Sequence, residues 1–159
     1  MEPVTPVDLD PADRQLLALM QEDSSTPINT LAAETGLSSA SVQRRLRRLR
    51  ERGVIAREVA VIDPGAAGIG MSFVVMVELE RERIDQLDAF RRKAMREPHV
   101  QQCYYVTGEA DFVLVCVARD MAEFEELTRR LFFGDENVRR FRTSVVMGRT
   151  KVGLTLPIT

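Results

Sequence analysis

Little in this chain of 159 residues suits redox, metal or histidine chemistry. It has two cysteines, Cys103 and Cys116, one histidine, His99, and no tryptophan. Two cysteines support neither a disulfide framework nor a cysteine-rich metal site. A single histidine argues against mechanisms built on a histidine cluster, and no cofactor is expected. No apolar run approaches the ~18 residues of a membrane span, and no basic-then-apolar leader opens the sequence. A soluble, cytoplasmic protein with no membrane partner is therefore expected. The formal net charge of −2 argues against wholesale polyanion binding. It conceals an asymmetry, however. Between Arg44 and Arg57 stand seven arginines and only Glu51 as an acidic residue, so a small basic module is joined to a neutral or acidic remainder. Apolar content of 45% and charged content of 29% are globular, and the length suits one ordinary domain or two small ones.

The basic stretch, GLSSASVQRRLRRLRER over residues 36–52, reads as one helix with two opposed faces. Val42, Leu46 and Leu49 form an apolar stripe at helical spacing. Ala40, Arg44, Arg47 and Arg48 fall roughly opposite it. Ser38 is placed to cap the start, and Gly53 to stop the end. Arg45 is angled toward the stripe, where it can bridge to another helix. Such a helix has one face to pack and one to lie in the major groove of a duplex. A solvated surface helix has the same pattern, so the context upstream decides.

Upstream, residues 1–8 read as a loose polar leader with two prolines. Asp10, Pro11 and Asp13 then read as cap, first-turn proline and third-position acid. Leu16, Leu17 and Met20 are that helix's stripe. Thr26 and Pro27 read as the cap and first position of a shorter helix with Ile28, Leu31 and Ala32, which stops at Gly36. Helix, short helix, glycine turn, longer helix is helix-turn-helix order. Residues 54–62 read as one strand, a wing or connector, and Asp63-Pro64-Gly65 as a turn.

The second half changes character. SFVVMVELE, residues 72–80, is a strand; residues 81–97 are a helix with Ile84, Leu87, Phe90 and Ala94 inward, ended by Pro98. Residues 100–107 and 112–118 are strands joined by a turn at Gly108-Glu109-Ala110-Asp111. A hairpin symmetric about residues 109 and 110 sets Cys103 opposite Cys116, as reduced core thiols. Asp120 and Glu123 form a capping pair for a helix with Phe124, Leu127 and Leu131 inward. Residues 138–147 are a strand, and residues 152–158 a possible last one. Strand, helix, strand, strand, helix, strand is the ferredoxin-like split βαβ order. Two helices cover one sheet face. The other needs a cover, and a second copy of the sheet supplies it, so a homodimer is expected. The fold class is thus α+β. The expected domains are a winged helix-turn-helix over residues 9–62, a linker over 63–70, a ferredoxin-like domain over 71–150 and a tail or strand over 151–159.

Both halves resemble the leucine-responsive regulatory protein/AsnC (Lrp/AsnC) family of transcription regulators. The resemblance rests on LDPADRQLLALM, LAAETGLSSASVQRRLRRLRERGVI, the Asp63-Pro64 pair, VTGEADFVL at residues 106–114 and RTSVVM at residues 142–147. It implies a sequence-specific, non-enzymatic DNA-binding regulator with an ACT-like effector domain, the regulator of amino-acid metabolism (RAM) domain. It further implies dimers that assemble to octamers, and amino-acid effectors in clefts between dimers. Carried onto this chain, the effector site comprises Tyr105, Gly108, Glu109, Asp111, Ser144, Val145 and Val146. A free amino acid needs an anion for its ammonium, and Glu109 or Asp111 offers one. Ser144 stands where the family often has tyrosine.

In the DNA reading, Ser39, Ala40, Ser41, Gln43, Arg44 and Arg47 lie near base edges. Arg48 lies toward phosphates, and Arg57 is a wing contact. The two-fold dimer calls for a pseudo-palindromic operator on double-stranded DNA. Two alternatives remain. One is an Lrp-like haem-pathway decarboxylase, for which His99, read as a loop residue, is the lone histidine. The other is an architectural or interaction protein without sequence preference.

Overall fold

The computed structural model describes residues 6–158; residues 1–5 of the expected leader lie outside them. The chain divides into two compact units, Met1–Val61 with Lys151–Thr159, and Ile62–Thr150. Each is taken by itself.

The first unit is helical. α1 is Pro11–Glu22, α2 is Ile28–Thr35 and α3 is Ser39–Glu51. Asp10 caps α1 as the sequence predicts: its side chain accepts from the Asp13 N–H at 2.8 Å, and Asp13 reaches back to the Asp10 N–H at 3.4 Å. α2 differs from expectation. Its cap is Pro27, one residue later than read, with no side-chain bond. Thr26 Oγ1 instead donates to the Asp23 carbonyl at 2.8 Å, so its hydroxyl serves the preceding turn. Gly36 ends α2 at φ 67°, a conformation open to glycine at little cost. Ser38 then caps α3. Leu16, Leu17, Met20, Leu31, Val42, Leu46 and Leu49 form the core. Each of the larger side chains contributes about 1.5–3 kcal/mol by burial.

Two expected strands are absent. Residues 54–62 form none, and Val59, Val61 and Ile62 are exposed. Alternating apolar residues do not make a strand without a neighbouring strand to bond. Residues 152–158 also form none. The tail lies on the helical unit instead: Gln21 accepts from the Leu156 N–H at 2.7 Å and donates to its carbonyl at 3.1 Å, while Ile158 packs on the core.

The second unit runs β1 (Met71–Leu79), α4 (Ile84–Arg96), β2 (Val100–Tyr105), β3 (Phe112–Ala118), α5 (Met121–Thr128) and β4 (Val138–Val145). A π-helical turn, Arg129–Phe133, extends α5 and was not foreseen. The sheet order is β2-β3-β1-β4, all neighbours antiparallel, the ferredoxin-like arrangement. Phe73, Val75, Val77 and Leu79 face the helices and meet Leu87, Phe90, Phe124 and Leu127. Phe73 stacks on Phe124 with centroids 3.7 Å apart. Val74, Met76, Val113 and Val115 alternate onto the open face, half-buried.

The hairpin register also corrects expectation. Cys103 pairs with Leu114 and Cys116 with Val100, with an irregularity between Val100 and Gln102. The cysteines are therefore not opposite, and both are free. Burial pushes the Cys116 thiol up to about 12, so it stays protonated and unreactive. At α5, Asp120 accepts from the Glu123 N–H, but Glu123 bonds the Arg119 N–H rather than that of the cap. The expected reciprocal pair is shifted by one residue.

Candidate functional site

Across α3, side chains separate into three groups. Val42, Leu46 and Leu49 are buried. Ala40, Gln43, Arg44 and Arg47 are exposed on one face, which spans about 10 Å of helix axis from the first to the last of them. Arg44 and Arg47 have no hydrogen bond or ion pair among the described residues. Two exposed cations with no carboxylate to satisfy them are available to a polyanion. Ser39, half-buried, donates to Asn29 Oδ1 at 2.9 Å and ties α3 to α2. Ser41 is half-buried in the first turn, its N–H on the Ser38 cap.

The third group lies between these faces. Arg45 Nη1 donates to Asp10 at 2.6 Å and to Asp13 at 2.8 Å, so it bridges to α1. Arg48 Nη2 also donates to Asp13. The Arg45 guanidinium holds the Asp10 carboxyl below its ordinary value. Arg50 lies 2.8 Å from Glu58. Arg57 is exposed in the connector. The bridge from Arg45 to another helix is as the wheel geometry predicts. Its partners, and the tie of Arg48 to Asp13, are not signalled by local spacing, since they join residues 32 and 35 positions apart.

The second group of expected site residues lies on the sheet. The six residues between β2 and β3 close on β1: the Asp111 N–H donates to the Val77 carbonyl, and the Leu79 N–H donates to Asp111 Oδ2 at 2.6 Å. The Asp111 carboxylate thus serves the backbone. Glu109 is 81% exposed, 3.3 Å from Arg142. Gly108 has φ 129°, where a side chain is strained. The Tyr105 ring lies under the Arg91 guanidinium at 4.9 Å and near Phe112. Ser144 and Val145, by contrast, pair with Val74 and Phe73, and the Val146 N–H donates to the Ser72 carbonyl. These residues lie near the start of β1, whereas the loop lies near its end, on the order of 10–17 Å away at ~3.3 Å per residue. One copy of the unit does not bring the two sets together.

His99 is held in a loop, its Nδ1 2.8 Å from Glu97 and its Nε2 3.5 Å from Glu123. Among the described residues no group of three or more histidine, cysteine or acidic side chains is placed to hold a metal. No helix there is long and apolar enough to cross a membrane.

Residues 9–50 match the AsnC-type helix-turn-helix domain, and residues 72–156 match the Lrp/AsnC ligand binding domain. The chain belongs to the Lrp/AsnC family. It is 43% identical over 152 residues to the HTH-type transcriptional regulator y4tD of Sinorhizobium fredii, covering 96% of this chain and 90% of that one. It is 32% identical to the leucine-responsive regulatory protein of Rhizobium meliloti, over 93% of this chain and 95% of the relative. An AsnC family transcriptional regulator from Agrobacterium tumefaciens superposes with a TM-score of 0.89 at 29% identity, covering 94% and 97% of the two chains. A regulator from Neisseria meningitidis in complex with L-Met superposes with a TM-score of 0.88 at 25% identity, with the same coverage. These relatives are transcriptional regulators rather than enzymes. The Lrp/AsnC chain described here is accordingly a sequence-specific DNA-binding regulator, with a helix-turn-helix unit followed by a ferredoxin-like effector unit.

Proposed function

We propose that this Lrp/AsnC regulator binds a pseudo-palindromic operator in double-stranded DNA as a homodimer in the cytoplasm. Arg44 and Arg47 read bases with Gln43, Ala40, Ser39 and Ser41 beside them. Arg48 and Arg57 meet the phosphate backbone. The observation that carries this reading is the unpaired state of Arg44 and Arg47 on the exposed face of α3. Phosphate contacts give salt-dependent affinity, and base contacts give sequence choice.

An amino acid is the proposed effector, and its binding shifts the chain between dimer and octamer, so changing how many α3 pairs face the DNA. In support, a relative was solved with L-Met. The site is proposed to be shared between copies, with Tyr105, Gly108 and Glu109 from one and Ser144, Val145 and Val146 from another. The separation of these sets along β1 favours sharing. Glu109 is the exposed carboxylate for the ammonium group; Asp111 holds the loop that presents it. The half-buried apolar residues on the open sheet face support a second copy as its cover.

The test is selection of genomic fragments by the purified chain, with and without each of the twenty amino acids. A two-fold motif whose recovery or spacing changes with one amino acid is expected. A motif indifferent to all of them would remove the effector reading, and no motif at all would remove the role of Arg44 and Arg47.

A further inference from the structure

Asp13 carries more than a helix cap. Its side chain is 1% exposed, and its two oxygens accept from Arg45 and Arg48 of α3. It sits at the third position of α1, where the aligned peptide dipoles favour a negative charge. The two arginines are engaged differently. Arg45 reaches two carboxylates, Asp10 and Asp13, and its side chain is 22% exposed. It is committed to joining α1 and α3. Arg48 reaches one carboxylate among the described residues, and its side chain is 42% exposed. The Nε of each arginine is buried without a partner among the described residues, so exposure and the number of carboxylates are what separate the two. Arg48 lies one helical turn from Arg44 on the surface of α3, at the margin of the exposed face. For a helix lying in a groove, the margins of the inserted face meet the phosphate walls.

We infer that Asp13 is a positioning residue for DNA binding, which fixes Arg48 so that the outer part of its guanidinium meets a backbone phosphate. This rests on α3 being the DNA-facing helix. An unrestrained arginine loses rotamer freedom when it binds. One already held by a buried carboxylate has lost that freedom beforehand, so its contact is stronger. A planar guanidinium with five donors serves two anions at once, which the compact lysine ammonium does not do with the same geometry. Asp13 thereby links the packing of α1 on α3 to the register of the chain on the duplex.

The experiment measures binding of the full chain to two duplexes, one enriched by the selection above and one of scrambled sequence, across a range of salt. Arg48→Gln is expected to weaken both by a similar factor and to reduce the salt slope by about 0.9, the value for one phosphate. Asp13→Asn is expected to do the same, and the double variant to lose little beyond either single one. Equal loss from Asp13→Asn in the presence and absence of Arg48 would mean a structural role alone. Tighter binding with a steeper slope would mean that Asp13 withholds Arg48 from DNA. Either result overturns the inference. If Asp13→Asn does not fold, Arg48→Lys decides. It keeps the charge but not the two-anion geometry, and is expected to bind both duplexes more weakly than the native chain; native affinity in Arg48→Lys, or a native slope in Arg48→Gln, overturns the inference. The scrambled duplex keeps this test separate from the reading of Arg44 and Arg47, whose failure appears as loss of motif recovery.

Discussion

Both units of this chain hold paired and unpaired arginines, in different settings. On the sheet unit, Arg119, Arg129, Arg130, Arg140 and Arg142 each lie on a carboxylate, while Arg92 and Arg96 of α4 are exposed with no partner among the described residues. On α3, Arg45 and Arg48 are tied to α1, while Arg44 and Arg47 have no partner among the described residues. The net charge of −2 is therefore no guide to what the chain binds. The arrangement of partners is the guide. Paired cations hold a surface together, and unpaired ones on a rigid helix present a fixed pattern to an anionic ligand.

The comparison is broken most severely at Asp13. Asp13→Ala leaves Arg48 without a carboxylate and Arg45 with Asp10 alone. A loss of about 1.5–3 kcal/mol is expected, the worth of hydrogen bonds to a charged group, below the cost of stranding a fully buried charge because Arg48 is partly solvated. Chemical denaturation of the helical unit, followed separately from the sheet unit, measures it.

A middle-sized effect comes from acid. The Arg119 backbone N–H and guanidinium hold the Glu123 carboxyl at about 2, well below 4.5. A carboxyl depressed in the folded state adds stability above its unfolded value, and that stability is lost as pH falls through the folded one. Between pH 4.5 and pH 2 the sheet unit is expected to weaken, and Glu123→Gln to flatten that part of the curve. Thermal melts at stepped pH check this. The smallest effect is at Arg129, paired with Glu125 on the surface with both side chains about two-thirds exposed. Arg129→Gln is expected to change stability by under ~0.5 kcal/mol. A larger loss would show that exposed pairs on this unit hold more than surface order.

Much of this division was legible in the sequence. The capping box at Asp10 and Asp13, the stripe of Val42, Leu46 and Leu49, and the order of strands and helices follow from local spacing. What was not legible depended on partners distant in the chain. The wheel turns Arg45 toward another helix, but the choice of Asp13 as its partner, and the tie of Arg48 to the same carboxylate, have no local sign. The hairpin register was misread because Tyr105 pairs with Phe112, which centres the turn between residues 108 and 109, one residue earlier than expected, and sets Cys103 opposite Leu114. Apolar alternation over residues 54–62 and 152–158 indicated strands, yet alternation without an adjacent edge leaves extended chain. The effector residues were legible as types but not as a site. Their neighbours along β1 show that Gly108 and Ser144 belong to different ends of the sheet.

The central claim is that unpaired Arg44 and Arg47 supply sequence choice. Its most direct test is competition between the enriched duplex and a scrambled one, for the native chain and for Arg44→Gln and Arg47→Gln. Loss of a bidentate base contact should lower discrimination by about ten- to a hundred-fold, with a much smaller loss on the scrambled duplex. Equal losses on both duplexes would contradict the account, because the two arginines would then be phosphate contacts and the sequence would be read elsewhere.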